Sequence, residues 1–192
     1  MSIPYATDKT FEKNNFSKDL LEKGEYEKCV FSQCDFSKTN LSDFKFIDCE
    51  FKSCDLSLAT THGTAFRDVK FKDCKMLGIR FDHCNQFGLA FSFDNCILNH
   101  SSFSGTKIKK TVFKSSLLHE VDFGACDLTS VTFDRCDLDR ATFENTVLEK
   151  ADFRTAYNYS IDGENNRIKK AKFSLSGIPG LLHKFDIEIE GI

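Results

Sequence analysis

Every fifth residue of this chain is apolar, and more often than not it is phenylalanine. Stepping by five from Phe16 to Phe81 meets thirteen apolar residues in fourteen positions, with Thr61 the exception. From Leu98 to Phe153 the same step meets twelve in twelve. Fourteen of the 21 phenylalanines lie in these two series. A period of five matches neither the 3.6 of an α-helix nor the 2 of a strand, so neither element can bury it on one face. A chain that turns a corner every five residues and points the fifth inward can bury it, and such a chain is a solenoid.

The residue two before each apolar centre is constrained as well. All nine cysteines occupy it: Cys29, Cys34, Cys49, Cys54, Cys74, Cys84, Cys96, Cys126 and Cys136. The other occupants are mostly small or β-branched, as at Thr39, Ala59, Thr64, Val69, Thr111, Val131 and Ala151, with Phe44 and Ile79 as large exceptions. Each five-residue unit therefore offers one small and one large inward side chain, and three outward ones that carry most of the Asp, Lys, Ser and Asn. This placement bears on the thiols. Zinc sites favour CxxC pairs, and here the closest cysteines are five apart, Cys29/Cys34 and Cys49/Cys54. Free Cys is a small, often buried apolar residue, so the thiols read as core filling in a reducing compartment.

Signatures of catalysis are missing from the sequence. Glycine is sparse and never in phosphate-loop spacing, and neither HExxH nor GxSxG occurs. His62 and His83 lie 21 apart and would neighbour each other on adjacent turns, but two histidines without a third ligand make a poor metal site. A narrow, packed rod leaves no interior pocket for a substrate. The expectation is a non-enzymatic chain with no cofactor.

The pattern breaks at three places. The first series occupies positions ending in 1 or 6 and the second those ending in 3 or 8, so the register slips by two between Phe81 and Leu98. The segment from Asn85 to Phe93 contains the slip, and a two-residue insertion there is expected to bulge outward. Gln86, Phe87, Gly88 and Leu89 are then a candidate contact on a rigid scaffold; the competing reading folds Phe87 or Phe91 back inside. The second break, Ala59 to Thr64, has a polar centre and a glycine and reads as a looser corner. After Phe153 the repeat fades into a polar stretch. A segment with Pro179 in the first turn of a short helix follows, and then an alternating Asp186–Glu190 tail. Solenoid ends expose their core and must be capped. Ile178, Leu181, Leu182, Phe185, Ile187 and Ile189 are the candidate cap and two-fold interface, giving a homodimer. The expected organisation is a leader over residues 1–10, a repeat domain over 11–157 and a cap over 158–192. The repeat domain divides into a first ladder (11–84), the slip (85–97) and a second ladder (98–157). No stretch reaches transmembrane length, and the expected location is cytoplasmic.

The formal net charge is −3, which alone decides little. Residues 103–119 carry four lysines and no acid; residues 120–152 carry nine acids against three bases; residues 163–184 return to positive. Asp122, Asp127, Asp134, Asp137, Asp139, Glu144, Glu149 and Asp152 form a candidate acidic belt. Read along the chain, it argues against direct nucleic-acid contact and suits a partner with a basic groove. A solvated face built by the repeat's habit of placing Asp before the centre is the competing explanation.

The units Cys34-Asp35-Phe36-Ser37, Cys54-Asp55-Leu56-Ser57, Cys126-Asp127-Leu128-Thr129, Cys136-Asp137-Leu138-Asp139 and Ala151-Asp152-Phe153-Arg154 resemble the pentapeptide-repeat family over roughly residues 11–157. That resemblance implies an all-β solenoid, the right-handed quadrilateral parallel β-helix, with four five-residue faces per coil. Residues 20 apart then stack: Cys34, Cys54 and Cys74 in one ladder, Phe103, Phe123 and Phe143 in another, and Phe113, Phe133 and Phe153 opposite. The order of first ladder, bulge, second ladder and apolar C-terminal cap is similar to that of the Qnr quinolone-resistance group. The likeness implies a DNA mimic that binds DNA gyrase or topoisomerase IV and confers fluoroquinolone resistance, although the slip is shorter than that group's loops and the net charge is modest. The alternative is a pentapeptide-repeat scaffold with another protein partner. Neither reading involves a membrane.

Overall fold

The computed structural model describes residues 4–190; residues 1–3 of the expected leader and 191–192 of the expected cap lie outside the described residues. The chain winds as a parallel β-helix in which each backbone segment pairs with the one about 20 residues later. One sheet stacks β1 (Tyr5–Thr7), β3 (Glu25–Glu27), β5 (Lys45–Ile47) and β7 (Ala65–Arg67). The other stacks β2 (Thr10–Glu12), β4 (Val30–Ser32), β6 (Glu50–Lys52), β8 (Val69–Lys72), β9 (Phe91–Asp94), β10 (Val112–Lys114) and β11 (Thr132–Asp134). The remaining faces pair through isolated parallel bridges such as Asp35↔Asp55 and Ser102↔Asp122. Residues 5–7, expected in a leader, already pair with Glu25–Glu27, so the ladder starts earlier than its large apolar centres suggest. Ala6 stands at the centre of that first unit and is too small to announce it.

Four faces follow one another around the coil. Face I is centred on Phe11, Phe31 and Phe51, face II on Phe16, Phe36 and Leu56, face III on Leu21, Leu41 and Thr61, and face IV on Tyr26, Phe46 and Phe66. Face I places nine phenylalanines in register from Phe11 to Phe173, with successive ring centroids 4.8–5.4 Å apart. That spacing suits both a parallel ladder, about 4.8 Å per coil, and stacked rings. Edge-to-face partners lock the column laterally. Before the slip they come from face IV, as in Phe46–Phe51 at 5.3 Å and 75°. After it they come from face III, as in Phe103–Phe113 at 5.8 Å and 90°. The expected Phe103–Phe123–Phe143 column is present, with centroids 5.2 Å apart.

The small inward position is filled as expected. All nine cysteines are free and buried. Cys54 Sγ donates to the Phe31 and Lys52 carbonyls at 3.3 Å, and Cys74 Sγ to the Phe51 carbonyl at 3.4 Å. Burial pushes the Cys49, Cys84 and Cys136 thiols up to about 12, which removes the thiolate that reactivity and metal binding require. Thr61, the polar centre, is also buried and donates to the Arg80 carbonyl at 2.8 Å. No looser corner results, because the hydroxyl is satisfied.

Most corners bend through one residue of positive φ, and most of these are not glycine: Leu58, Lys110, Ala125, Arg135 and Lys150 all lie at φ between 53° and 61°. Such residues cost about 1–2 kcal/mol each, and the ladder's hydrogen bonds offset that cost. Two outcomes are expected in urea denaturation. Phe133→Ala, which opens the face I stack, should lose about 3–5 kcal/mol. Leu58→Gly, at an exposed left-handed corner, should hold or raise stability by up to about 1 kcal/mol.

Candidate interaction surfaces

The slip is resolved by an exchange of side chains. Cys84 to Gly88 form a regular unit, with Gly88 at φ 68° as its corner. Asn85 N–H still bonds the Thr64 carbonyl at 2.9 Å, in the usual register. The next strand is displaced by two, with Val69 opposite Phe91 and Phe71 opposite Phe93. The additional residues are Leu89 and Ala90. Gln86, at the unit's centre, is exposed, and its amide donates to the Cys84 carbonyl at 2.9 Å. Leu89 takes its place in the core with 8% of its surface exposed, and Phe91 is buried beside it. The expected outward bulge with an exposed Leu89 is therefore corrected: one of the two added residues goes inward, because the apolar side chain can fill the place that the glutamine leaves. Phe87 and Gly88 remain outside, Phe87 with 78% of its surface exposed. The Arg67 guanidinium lies 5.3 Å from the centre of the Phe87 ring.

The acidic belt is dispersed. Its eight members fall two to a face: Asp134 and Asp152 on face I, Asp137 and Asp139 on face II, Asp122 and Glu144 on face III, Asp127 and Glu149 on face IV. Four of them hold turns. The carboxylates of Asp122, Asp127, Asp137 and Asp152 accept the N–H of the residue two ahead, at 2.8–3.2 Å, which is the local turn chemistry of Asp. Most are also paired with cations: Asp127 with Lys109, Asp134 with Arg135, Asp139 with Arg140, Glu149 with Arg167, and Asp152 with Arg154, while Asp137 lies 2.9 Å from His119 Nε2. Asp122 and Glu144 are without an ion pair among the described residues, and face III carries no cation between Ser101 and Gly105, Val121 and Ala125, or Ala141 and Asn145.

The C-terminal cap is a short helix, α1 (Pro179–Leu182), between single 3-10 turns at Leu175–Gly177 and His183–Phe185. It docks against Tyr159, which packs beside Phe153 and Phe173. A β-carbon on Gly177 would strike the Tyr159 hydroxyl, and one on Gly180 its carbonyl, so glycine is required at both contacts. Leu181 packs on the core and Leu182 is half-buried. Ile178, Phe185, Ile187 and Ile189 are exposed, and Leu175, not singled out from the sequence, more so at 85%. Leu182, Ile187 and Ile189 line a shallow cleft with Pro179. Among the described residues no group of three or more His, Cys, Asp or Glu is placed to hold a metal ion, and no helix is long and apolar enough to cross a membrane.

Two family models match the chain: pentapeptide repeats over residues 27–63 and a pentapeptide repeat region over 80–153. The chain belongs to the pentapeptide-repeat family. No curated protein matches its sequence. Among solved structures it is similar to a trypsin-treated variant of QnrB1, a plasmid-mediated fluoroquinolone resistance protein, with TM-score 0.70, 16% identity, and coverage of 98% of this chain and 92% of that one. It is also similar to HetL, a pentapeptide repeat protein involved in heterocyst differentiation regulation from the cyanobacterium Nostoc sp. strain PCC 7120, with TM-score 0.65, 13% identity, and coverage of 90% and 88%. At these identities the likeness is one of fold.

Asp152 provides a test of the structural role of these acids. Its hydrogen bonds from the Arg154 side chain hold its carboxyl below the usual carboxylate range. A depressed pKa contributes stability that is present above the unfolded value, about 3.9, and lost as pH falls through the folded value. Asp152→Asn should therefore be less stable at neutral pH, and its stability should fall less steeply below about pH 4 than the parent's, as read by urea titrations across that range.

Proposed function

We propose that this chain is a non-enzymatic, protein-binding β-helical rod. The observation that carries the reading is its interior, filled by stacked phenylalanines from Phe31 to Phe153, which leaves function to the outer surface. A rigid rod of this kind presents side chains at fixed spacing, as solenoid binders do.

The specific reading is a Qnr-like one, in which the partner is DNA gyrase or topoisomerase IV and the host gains fluoroquinolone tolerance. It is supported by the extent of the fold likeness to QnrB1, by an exposed Phe87 at the slip and by the cation-free run of face III around Asp122 and Glu144. The dispersal and pairing of the other acids weigh toward the alternative, a scaffold for a different protein partner. Gyrase-catalysed DNA supercoiling with ciprofloxacin separates the two. Under the Qnr-like reading the protein restores supercoiling, and Phe87→Ser together with Glu144→Lys abolishes the rescue. Absence of any effect on either topoisomerase assigns the chain to the scaffold reading.

Homodimerisation through the cap belongs to the same proposal. Leu175, Ile178, Phe185, Ile187 and Ile189 expose apolar surface at one end of the rod, and such a surface suits a self-complementary two-fold contact. Light scattering is expected to give a dimer mass for the parent and a monomer mass for Phe185→Ser/Ile187→Ser.

A further inference from the structure

Face IV gathers what the linear sequence scatters. Its outer columns run along the rod axis, one residue per coil. From Arg67 onward one column reads Arg67, Phe87, Lys109, Thr129, Glu149, Lys169, and the corner column beside it reads Asp68, Gly88, Lys110, Ser130, Lys150, Lys170. Over the same span the acids are Asp68, Asp127 and Glu149; Asp127 and Glu149 are each paired, with Lys109 and Arg167, and Asp68 is an exposed corner residue next to Arg67. Lys107, Lys110, Lys150, Lys169 and Lys170 are exposed and make no ion pair among the described residues. Arg67 likewise has no carboxylate partner, and its Nε is buried without an acceptor. A cleft of about 320 Å³ lined by Lys70, Lys109 and Lys110, with Asp68 as its one acid, opens at the corner next to the slip.

We infer that face IV is a binding surface for single-stranded nucleic acid, with Phe87 stacking one base and the lysines of the second ladder following the phosphate backbone. Four features select this occupant. The free cations form a strip along the axis, from Lys107 to Lys170, about 14 Å over three coils, which matches a linear polyanion. They are lysines with one arginine, point charges that suit phosphate, whereas carboxylate recognition favours the bidentate fork of arginine. Arg67 backs one side of the Phe87 ring, and an exposed aromatic among cations is how sequence-tolerant proteins hold unpaired bases. The ring can stack on a base that is out of a duplex, which favours single strands. The expectation of no nucleic-acid contact rested on the acidic run at 120–152; on the folded rod those acids lie mainly on other faces or in ion pairs. The lysine strip is separate from face III and from the cap, while Phe87 is shared with the Qnr-like reading, so it is the triple lysine variant that tests this surface independently of the protein partner proposed above.

The test is fluorescence anisotropy of a short labelled oligothymidine titrated with the full chain, from low to physiological salt. Binding that weakens with salt is expected. Reversing three exposed corner residues, Lys110→Glu/Lys150→Glu/Lys170→Glu, should reduce the logarithmic salt slope by about 2, and Phe87→Ser should weaken binding about tenfold. Unchanged melting of both variants distinguishes a lost surface from a lost fold. Failure to bind at low salt, undiminished binding by the triple variant, or equal or tighter binding of a duplex, of polyglutamate or of phosphatidylserine vesicles would each overturn the assignment.

Discussion

The structure depends on a match between two repeat distances. Parallel backbone passes settle about 4.8 Å apart, and the phenylalanine rings of face I stack at 4.8–5.4 Å. A ring placed at the same point of every coil therefore lies against its neighbours without distorting the ladder. The nine-membered column gains aromatic packing and apolar burial at each step. Everything else is arranged around it. Small residues fill most of the other inward positions, which keeps the coil narrow, with Phe44, Ile79 and Phe91 as the large buried exceptions. The thiols lie so close to the carbonyls of the preceding coil that they bond them. The left-handed corners are tolerated because the column and ladder outweigh their strain.

This regularity also governs charge. In a coil of 20 residues, side chains close in sequence point in different directions, and side chains 20 apart become neighbours. Asp134 and Asp137, three residues apart, sit on different faces. Lys150 and Lys170 stand on one corner. The pairs Asp127–Lys109 at 3.0 Å and Glu149–Arg167 at 2.6 Å are local products of that stacking, and exposed pairs of this kind add little stability. They do remove charge from the surface, and the cations left over define its polarity.

The fold was legible because its rule is positional. Phe and Cys at fixed spacing give the coil, its two inward positions and its stacked columns without reference to local propensity. What escaped has physical reasons. The spacing fixes the size of the slip, but the choice between Gln86 and Leu89 for one core place rests on polarity and on whether Gln86 can bond the Cys84 carbonyl. Ala6 is too small to mark a centre. Windows along the sequence made a belt of acids that the coil distributes to four faces; sorting the same residues by their position within 20 separates them and brings Arg67, Phe87 and Lys109 into line. The cap was recognisable from Pro179 and its apolar residues, but its dependence on Gly177 and Gly180 against Tyr159 is a matter of tertiary approach.

Leu89 and Ala90 can be seen as a stacking fault in a one-dimensional crystal. The face I column passes through it unbroken, Phe71 against Phe93, while the second aromatic column stops on face IV and resumes on face III. The two ladders stay paired across the fault on faces I, II and III, and the added residues are confined to the turn from face IV to face I. Such a boundary gives an otherwise translationally uniform filament an address: it lets a partner distinguish one position along the rod from all the others.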